Sequence, residues 1–264
     1  MTEQGSTFPY DLVTLGQFEN GWGWEGQLRS YIRKKYRTDL EGLAKLEPAA
    51  LATCLGAEIV RERPYDTIRW GMTCKPFRPL ELFFFFNVDP EFGTDLRVFY
   101  ARKSLVVPTE GAYVFAWDFI ALLARYGKGA YPLASPPTPS QRQWVSLAEL
   151  DSRLGGGMQR FTLQGRQEVL TLISPEVAAT ATWRLDRGTC TTNAAGWTIT
   201  WQVLPDLELQ ASCRAHNFTV SYEAAGVAKY APDFLISFAW LYLNALIREA
   251  RQVNPDLPQL SSYF

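Results

Sequence analysis

Apolar and polar positions alternate most regularly between Trp197 and Tyr222. Trp197, Ile199, Trp201 and Val203 alternate with Thr198, Thr200 and Gln202, the period of a half-buried strand. Leu207, Leu209, Ala211 and Cys213 continue on odd positions. Phe218, Val220 and Tyr222 then take even ones. The parity changes across Arg214-Ala215-His216-Asn217. A turn there keeps all the apolar residues on one sheet face, whereas an unbroken strand would split them between two. The chain next enters its most apolar stretch, 232–251, which predicts a helix apolar nearly all round.

Upstream, Leu28, Ile32 and Tyr36 recur every four residues and predict a helix over Glu25–Arg37. Arg29, Arg33, Lys34, Lys35 and Arg37 share its other face. GWGW at 21–24 reads as a turn. Asp39 is placed to cap a short helix through Leu46. Pro48 and Gly56 bracket another, with Pro in the first turn and Gly just past the end. The region 1–56 is therefore expected to be helical. From Ala57 the segments AEIVRE, TIRWGM, ELFFFFNV and DLRVFYA read as strands. Phe83–Phe86 is apolar on both faces, as in a central strand covered on both sides. Asp89–Gly93 supplies a hairpin turn. Cys74 lies in MTCKPF, where Pro76 and Pro79 predict a loop or sheet edge. Tyr113–Tyr126 predicts a helix ended by Gly127 and Gly129. Ser146 and Glu149 form a capping box for a short helix. Residues 165–186 predict one helix or strand followed by a further strand.

These elements define an α+β fold: N-terminal helices, an antiparallel sheet with a covered centre, and helices 113–126 and 233–251 packed on it. The stretch 131–143 holds four prolines and reads as a long loop within one domain spanning 1–264. The alternative is two lobes split at 131–143.

Composition narrows the function. Nine Trp and sixteen Phe supply an ample core without disulfides. A net charge of -1 argues against a dedicated nucleic-acid binder. The basic face of 25–37 thus reads as a solvated helix face, in preference to a phosphate or RNA patch flanked by Tyr31 and Tyr36. The apolar runs 112–124 and 234–247 fall short of the roughly 18–20 residues a membrane span needs. Cys54, Cys74, Cys190 and Cys213 form no CxxC pair, and reduced thiols in a cytoplasm are expected.

His216 is the single histidine. A turn brings it near Cys213, making these two the first candidates for chemistry. A Cys–His nucleophile also needs a third group to orient the base. Two ligands are too few for structural zinc, unless Cys74 and Cys190 converge on the same place. Gly155–Gly157 matches no phosphate-binding motif, and the run follows a helix where such a loop would open one. The carboxylates sit at element ends, where capping and solvation account for them. Trp22, Trp24 and Trp240 are candidate interaction residues, the first two also for stacking on a small ligand.

Three segments resemble a bacterial and archaeal family of unknown function, found largely in anaerobes and described in part as metal-binding. LAKLEPAALATCLGAE (43–58) is similar to that family's opening helix pair. The segment 119–161 resembles its helix, loop and W-V-S-(F/L)-x-E-L stretch. The segment 204–243 resembles its closing strand, turn and strand, then Y-x-P before the last helix. Some relatives carry an added four-cysteine iron–sulfur segment, which this chain lacks. Where relatives place an acidic pair, this chain has Ala215-His216-Asn217, so no ligand set carries over. The resemblance implies an accessory role near corrinoid, iron–sulfur or one-carbon metabolism.

The function expected is a non-catalytic binding or accessory protein with a protein partner, or a homodimer through the last helix, without nucleic acid or membrane. Such a protein can serve a cofactor- or metal-dependent enzyme system. No cofactor is predicted, and a metal or corrinoid stays open. The alternatives are an enzyme or cofactor carrier using Cys213 and His216, and small-ligand binding by aromatic residues.

Overall fold

The computed structural model describes residues 9–64, 66–89, 91–130, 143–155 and 166–259. Its α+β chain divides into two compact units, Met1–Pro132 and Leu133–Phe264. The boundary falls inside the proline-rich stretch. Residues 131–142 of that stretch, and Gly156 and Gly157, lie outside the described residues.

The first unit opens with a two-residue strand, β1 (Leu12–Val13), and a 3-10 turn at Leu15–Gln17. Helices α1 (Gly21–Lys35), α2 (Arg37–Glu41) and α3 (Pro48–Leu55) follow. An antiparallel meander comes next: β2 (Glu58–Val60), β3 (Ile68–Phe77), β4 (Leu80–Asp89) and β5 (Gly93–Ala101). Helix α4 (Thr109–Gly127) closes the unit. The sheet order is β1-β5-β4-β3-β2, which makes β4 the central strand. Phe83–Phe86 are all buried, as its two-faced apolar pattern requires. Phe84 meets Phe119 of α4 at 5.8 Å between ring centroids. Phe83 and Phe85 point the other way and cluster with Val60 and Ile68.

The second unit opens with β6 (Trp144–Ser146), then α5 (Leu147–Arg153), α6 (166–171) and α7 (Pro175–Leu185). Its meander is β7 (Thr189–Asn193), β8 (Gly196–Leu204), β9 (Leu207–Arg214) and β10 (Asn217–Glu223). The short α8 (Ala224–Val227) and long α9 (Pro232–Val253) end it. The order β6-β10-β9-β8-β7 matches that of the first sheet. The parity argument holds: Trp197, Ile199, Trp201, Leu209, Ala211, Cys213, Phe218, Val220 and Tyr222 are all buried. Ala215 and His216 both have positive φ, 46° and 63°, the backbone of a two-residue hairpin turn.

The two units are copies of one topology: short strand, helices, four-stranded meander, long helix. Local sequence repeats with it. Val13-Thr14-Leu15-Gly16-Gln17 and Val145-Ser146-Leu147-Ala148-Glu149 both leave the short strand through a Ser/Thr cap. Phe115-Ala116-Trp117 in α4 corresponds to Phe238-Ala239-Trp240 in α9. Tyr100, next to last in β5, donates its hydroxyl to the carbonyl of Ala112 at 3.1 Å. Tyr222, next to last in β10, donates to the carbonyl of Leu235 at 2.7 Å. Each acceptor is the fourth residue of its long helix, so each tyrosine pins a helix to the last meander strand. Removing either hydroxyl deletes one buried hydrogen bond. Tyr100→Phe and Tyr222→Phe should each cost about 1 kcal/mol, read from the denaturant midpoint.

Several expectations need correction. GWGW is the first turn of α1, not a loop. Its helix forms despite three glycines because Leu28 and Ile32 are buried. Asp39 lies inside the first turn of α2 and is not its cap. Cys74 is not in a loop but buried within β3, paired with Leu82. It lies at the sheet edge, the other expected place, since among the described residues β2 pairs only with Gly71–Thr73. Residues 175–185 are a helix, not a strand: Ser174 accepts a hydrogen bond from the Val177 N–H and Pro175 takes the first position.

Candidate binding cleft beside the open edge of the first sheet

Strand β1 covers little of β5. It pairs only as Leu12 with Ala101 and Val13 with Tyr100. At Thr14 the chain turns out of the sheet. The Thr14 N–H bonds the Gln17 side chain at 2.9 Å. Thr14 Oγ1 and the Gly16 N–H both donate to Glu25 Oε2 at 2.8 Å. Glu25 thereby ties the start of α1 to the end of β1. Arg29 completes this knot with a salt bridge to Glu25.

Beyond that point β5 runs on from Phe99 back to Thr94 with β4 on one side and, among the described residues, no strand on the other. Antiparallel strands turn the N–H and C=O of alternate residues to alternate sides. The Arg102 N–H donates to the Asp11 carbonyl, 3.0 Å away, which fixes the phase. Tyr100 therefore presents its backbone groups to Val13 of β1, and Val98, Leu96 and Thr94 present theirs to the open side. Residues 99, 97 and 95 present theirs to β4.

Helix α1 walls this edge. A cleft of about 400 Å³ lies between them, lined by Leu28, Arg29, Ile32 and Arg33 of the helix and by residues 95–99. A second, of about 460 Å³, shares Ile32 and Arg33 with it and reaches Arg37, Leu40 and the β4–β5 turn. Leu28, Ile32, Leu40 and Leu96 are buried and form an apolar floor. The rim is cationic: Arg29, Arg33, Arg37 and Arg97. Arg29 is bound to Glu25, and Arg97 Nε lies 3.2 Å from Asp95 Oδ2. Among the described residues, Arg33 and Arg37 have no carboxylate within salt-bridge distance. A Cβ built on Gly93 would lie 3.7 Å from Arg37 Nη2, which places that guanidinium over the hairpin turn. At the same end Asn87 Oδ1 and Thr94 Oγ1 are enclosed without a hydrogen-bond partner.

Burial acts to raise the Glu25 carboxyl. Its bonds from Thr14 and Gly16 and the charge of Arg29 outweigh that and hold it below the ordinary 4.5. A depressed carboxylate stabilises the fold above its unfolded pKa, and this contribution is lost as pH falls through the folded value. Glu25→Gln should cost about 1–2 kcal/mol at pH 7. The gap between the two proteins in urea midpoint should close as pH drops below 4.5.

Within the second unit, Cys190 and Cys213 stand apart. Cys190, Cys213 and His216 belong to the second unit and Cys74 to the first. Cys213 pairs with Trp197, and Cys190 with Ile199 on the far side of the same strand. Strand spacings put these two cysteines roughly 12 Å apart, too far for a disulfide or a shared metal. None of the four cysteines is in a disulfide. Burial raises the Cys213 thiol against a hydrogen bond from the His216 backbone. Burial likewise raises Cys190, opposed by Thr182. Protonated thiols are poor nucleophiles. His216 is exposed at the turn. Among the described residues, no three His, Cys, Asp or Glu side chains gather to hold a metal.

The tryptophans separate. Trp22 is 81% exposed, whereas Trp240 is 4% exposed beneath Arg166, whose guanidinium lies 4.7 Å from the ring centroid. Trp24 meets Tyr113 at 4.9 Å. Tyr31 is packed against both Tyr36 and Trp117. Lys35 lies over the Tyr31 and Tyr36 rings. These tyrosines therefore meet their aromatic neighbours edge to face. Among the described residues, no helix is long and apolar enough to cross a membrane. Helix α9 is buried over most of its length.

Comparison with protein-family models, with curated proteins and with solved structures gives no match to this chain. The cleft was only half visible in the sequence. The basic stripe on α1 is readable from its spacing of four. The strand edge it faces is not, because a two-residue β1 leaves no periodic signal.

Proposed function

We propose that the chain is a non-catalytic accessory protein that holds an extended segment of a partner polypeptide along the free edge of β5. The observation that carries this reading is the edge itself. Among the described residues, Thr94, Leu96 and Val98 turn backbone groups that no strand pairs toward an apolar-floored cleft, on the line that β1 abandons at Thr14. An added strand would use those groups for affinity and the cleft for side-chain selection. Natural proteins normally blunt such an edge. Here the neighbouring helix leaves room beside it.

The test is selection of peptides on the full chain from a displayed library of random dodecamers, followed by Val98→Pro. The Val98 N–H faces the open side, so proline removes no bond to β4. Bound peptides should slow amide exchange at Thr94, Leu96 and Val98, and Val98→Pro should abolish binding. Cys213→Ser with His216→Ala should leave it unchanged. Selected peptides that bind Val98→Pro equally well would sink the reading.

A further inference from the structure

From the charge beside that edge we infer that the partner segment is acidic, with carboxylates at alternate positions. This rests on the strand-addition reading and adds the partner's chemistry. Arg29 and Arg33 stand four apart on α1 and form a row along its surface, and Arg37, the first residue of α2, lies beyond the break at Tyr36 and lines the adjoining cleft. The row follows the edge: Arg29 and Arg33 line the cleft beside residues 95–99, and Arg33 and Arg37 the cleft reaching the β4–β5 turn. Neighbours in such a row stand roughly 5–6 Å apart. Alternate side chains of a strand stand roughly 6.8 Å apart and share a face. An extended segment on the edge can therefore set every second side chain against the row. Glu25 already engages Arg29, which leaves Arg33 and Arg37 for two such groups. Guanidinium groups bind carboxylates through paired, charge-assisted hydrogen bonds. Charge complementarity thus selects an acidic strand over a neutral or basic one.

The experiment uses the full chain and three fluorescein-labelled decapeptides of one strand-forming sequence. Four alternate positions carry Glu, Gln or Lys. Fluorescence anisotropy at low salt should show the Glu peptide binding about tenfold more tightly than the Gln peptide, with the Lys peptide weakest. Arg33→Glu with Arg37→Glu should reverse the order, so that the Lys peptide binds best. N-methylation of alternate backbone nitrogens in the Glu peptide should abolish binding, a control independent of any variant's folding. Equal binding of all three peptides, lost on N-methylation, would overturn the acidic preference and leave strand addition standing. A Glu preference that survives N-methylation and Val98→Pro would overturn both, because the arginines would then be binding anions without a strand. Competition by inorganic phosphate or single-stranded RNA as strong as by unlabelled Glu peptide would overturn the acidic-strand assignment.

Discussion

Phe84→Ala is expected to remove about 3–5 kcal/mol from the first unit, the largest loss of any single truncation considered. Phe84 is 1% exposed, on the central strand. Met72 pairs with it on one side and Val98 on the other. Above it lies Phe119 of α4. Alanine would leave a cavity walled by two neighbouring strands and a helix, and paired strands cannot close in on it without breaking their ladders. A domain's whole stability is about 5–15 kcal/mol, so the loss takes a large part of it. Hydrogen exchange followed by mass spectrometry reads the effect segment by segment. Peptides from 68–101 should lose most of their protection. Peptides from 196–223, in the other unit, provide the comparison within the same sample. Protection unchanged at 68–101 would contradict the placement of Phe84 at the centre of that core.

The second unit was the more legible because its sheet buries one face. The inward residues of β8, β9 and β10 leave a period-two mark, and the shift of phase places the turn within Arg214–Asn217, of which the central two residues adopt positive φ. Strand β4 reads correctly for the opposite reason: a run buried on both faces has no period, and four consecutive phenylalanines leave little else for it to be. What composition obscures is the start of α1. Trp22, Gly23 and Gly26 resemble turn chemistry, and only burial further along, at Leu28 and Ile32, makes the segment helical. The internal repeat escaped for a geometric reason. Its signatures recur at unequal distances, Val13 to Val145 and Phe115 to Phe238, because helices and loops between them differ in length. No fixed period exists to find, and the two copies share topology, two short stretches of sequence and the tyrosine bonds to the long helices. His216 drew notice in the sequence as a lone imidazole. The fold gives it an exposed turn position, with its backbone hydrogen-bonded to Cys213. The cleft depends on where a two-residue strand stops, which only the assembled sheet shows.

Gly127→Ala should destabilise the first unit although it replaces glycine by the best helix former in the last turn of α4. Ordinarily that exchange stabilises a helix interior by about 0.5–1 kcal/mol. Here a Cβ on Gly127 would lie 2.0 Å from the Asp39 carbonyl oxygen. The reciprocal contact is as close: a Cβ on Gly42 would lie 1.9 Å from the Gly127 carbonyl oxygen. Both obstacles are backbone, so no side-chain rotation relieves them. Separating them also strains the Lys128–Asp39 salt bridge, which spans 3.0 Å at the same crossing. Overpacking costs about 1–3 kcal/mol and occasionally more. Two backbones in contact place this site at the upper end, and the steric term outweighs propensity. Gly26→Ala supplies the opposite sign. Gly26 sits in the body of α1 with nothing within 4 Å of its would-be Cβ, so propensity acts alone there. Urea midpoints for the two variants should move in opposite directions from the parent chain, Gly127→Ala downward by the larger amount. Gly127→Ala unfolding at or above the parent midpoint would mean that α4 does not cross residues 39–43 at backbone contact.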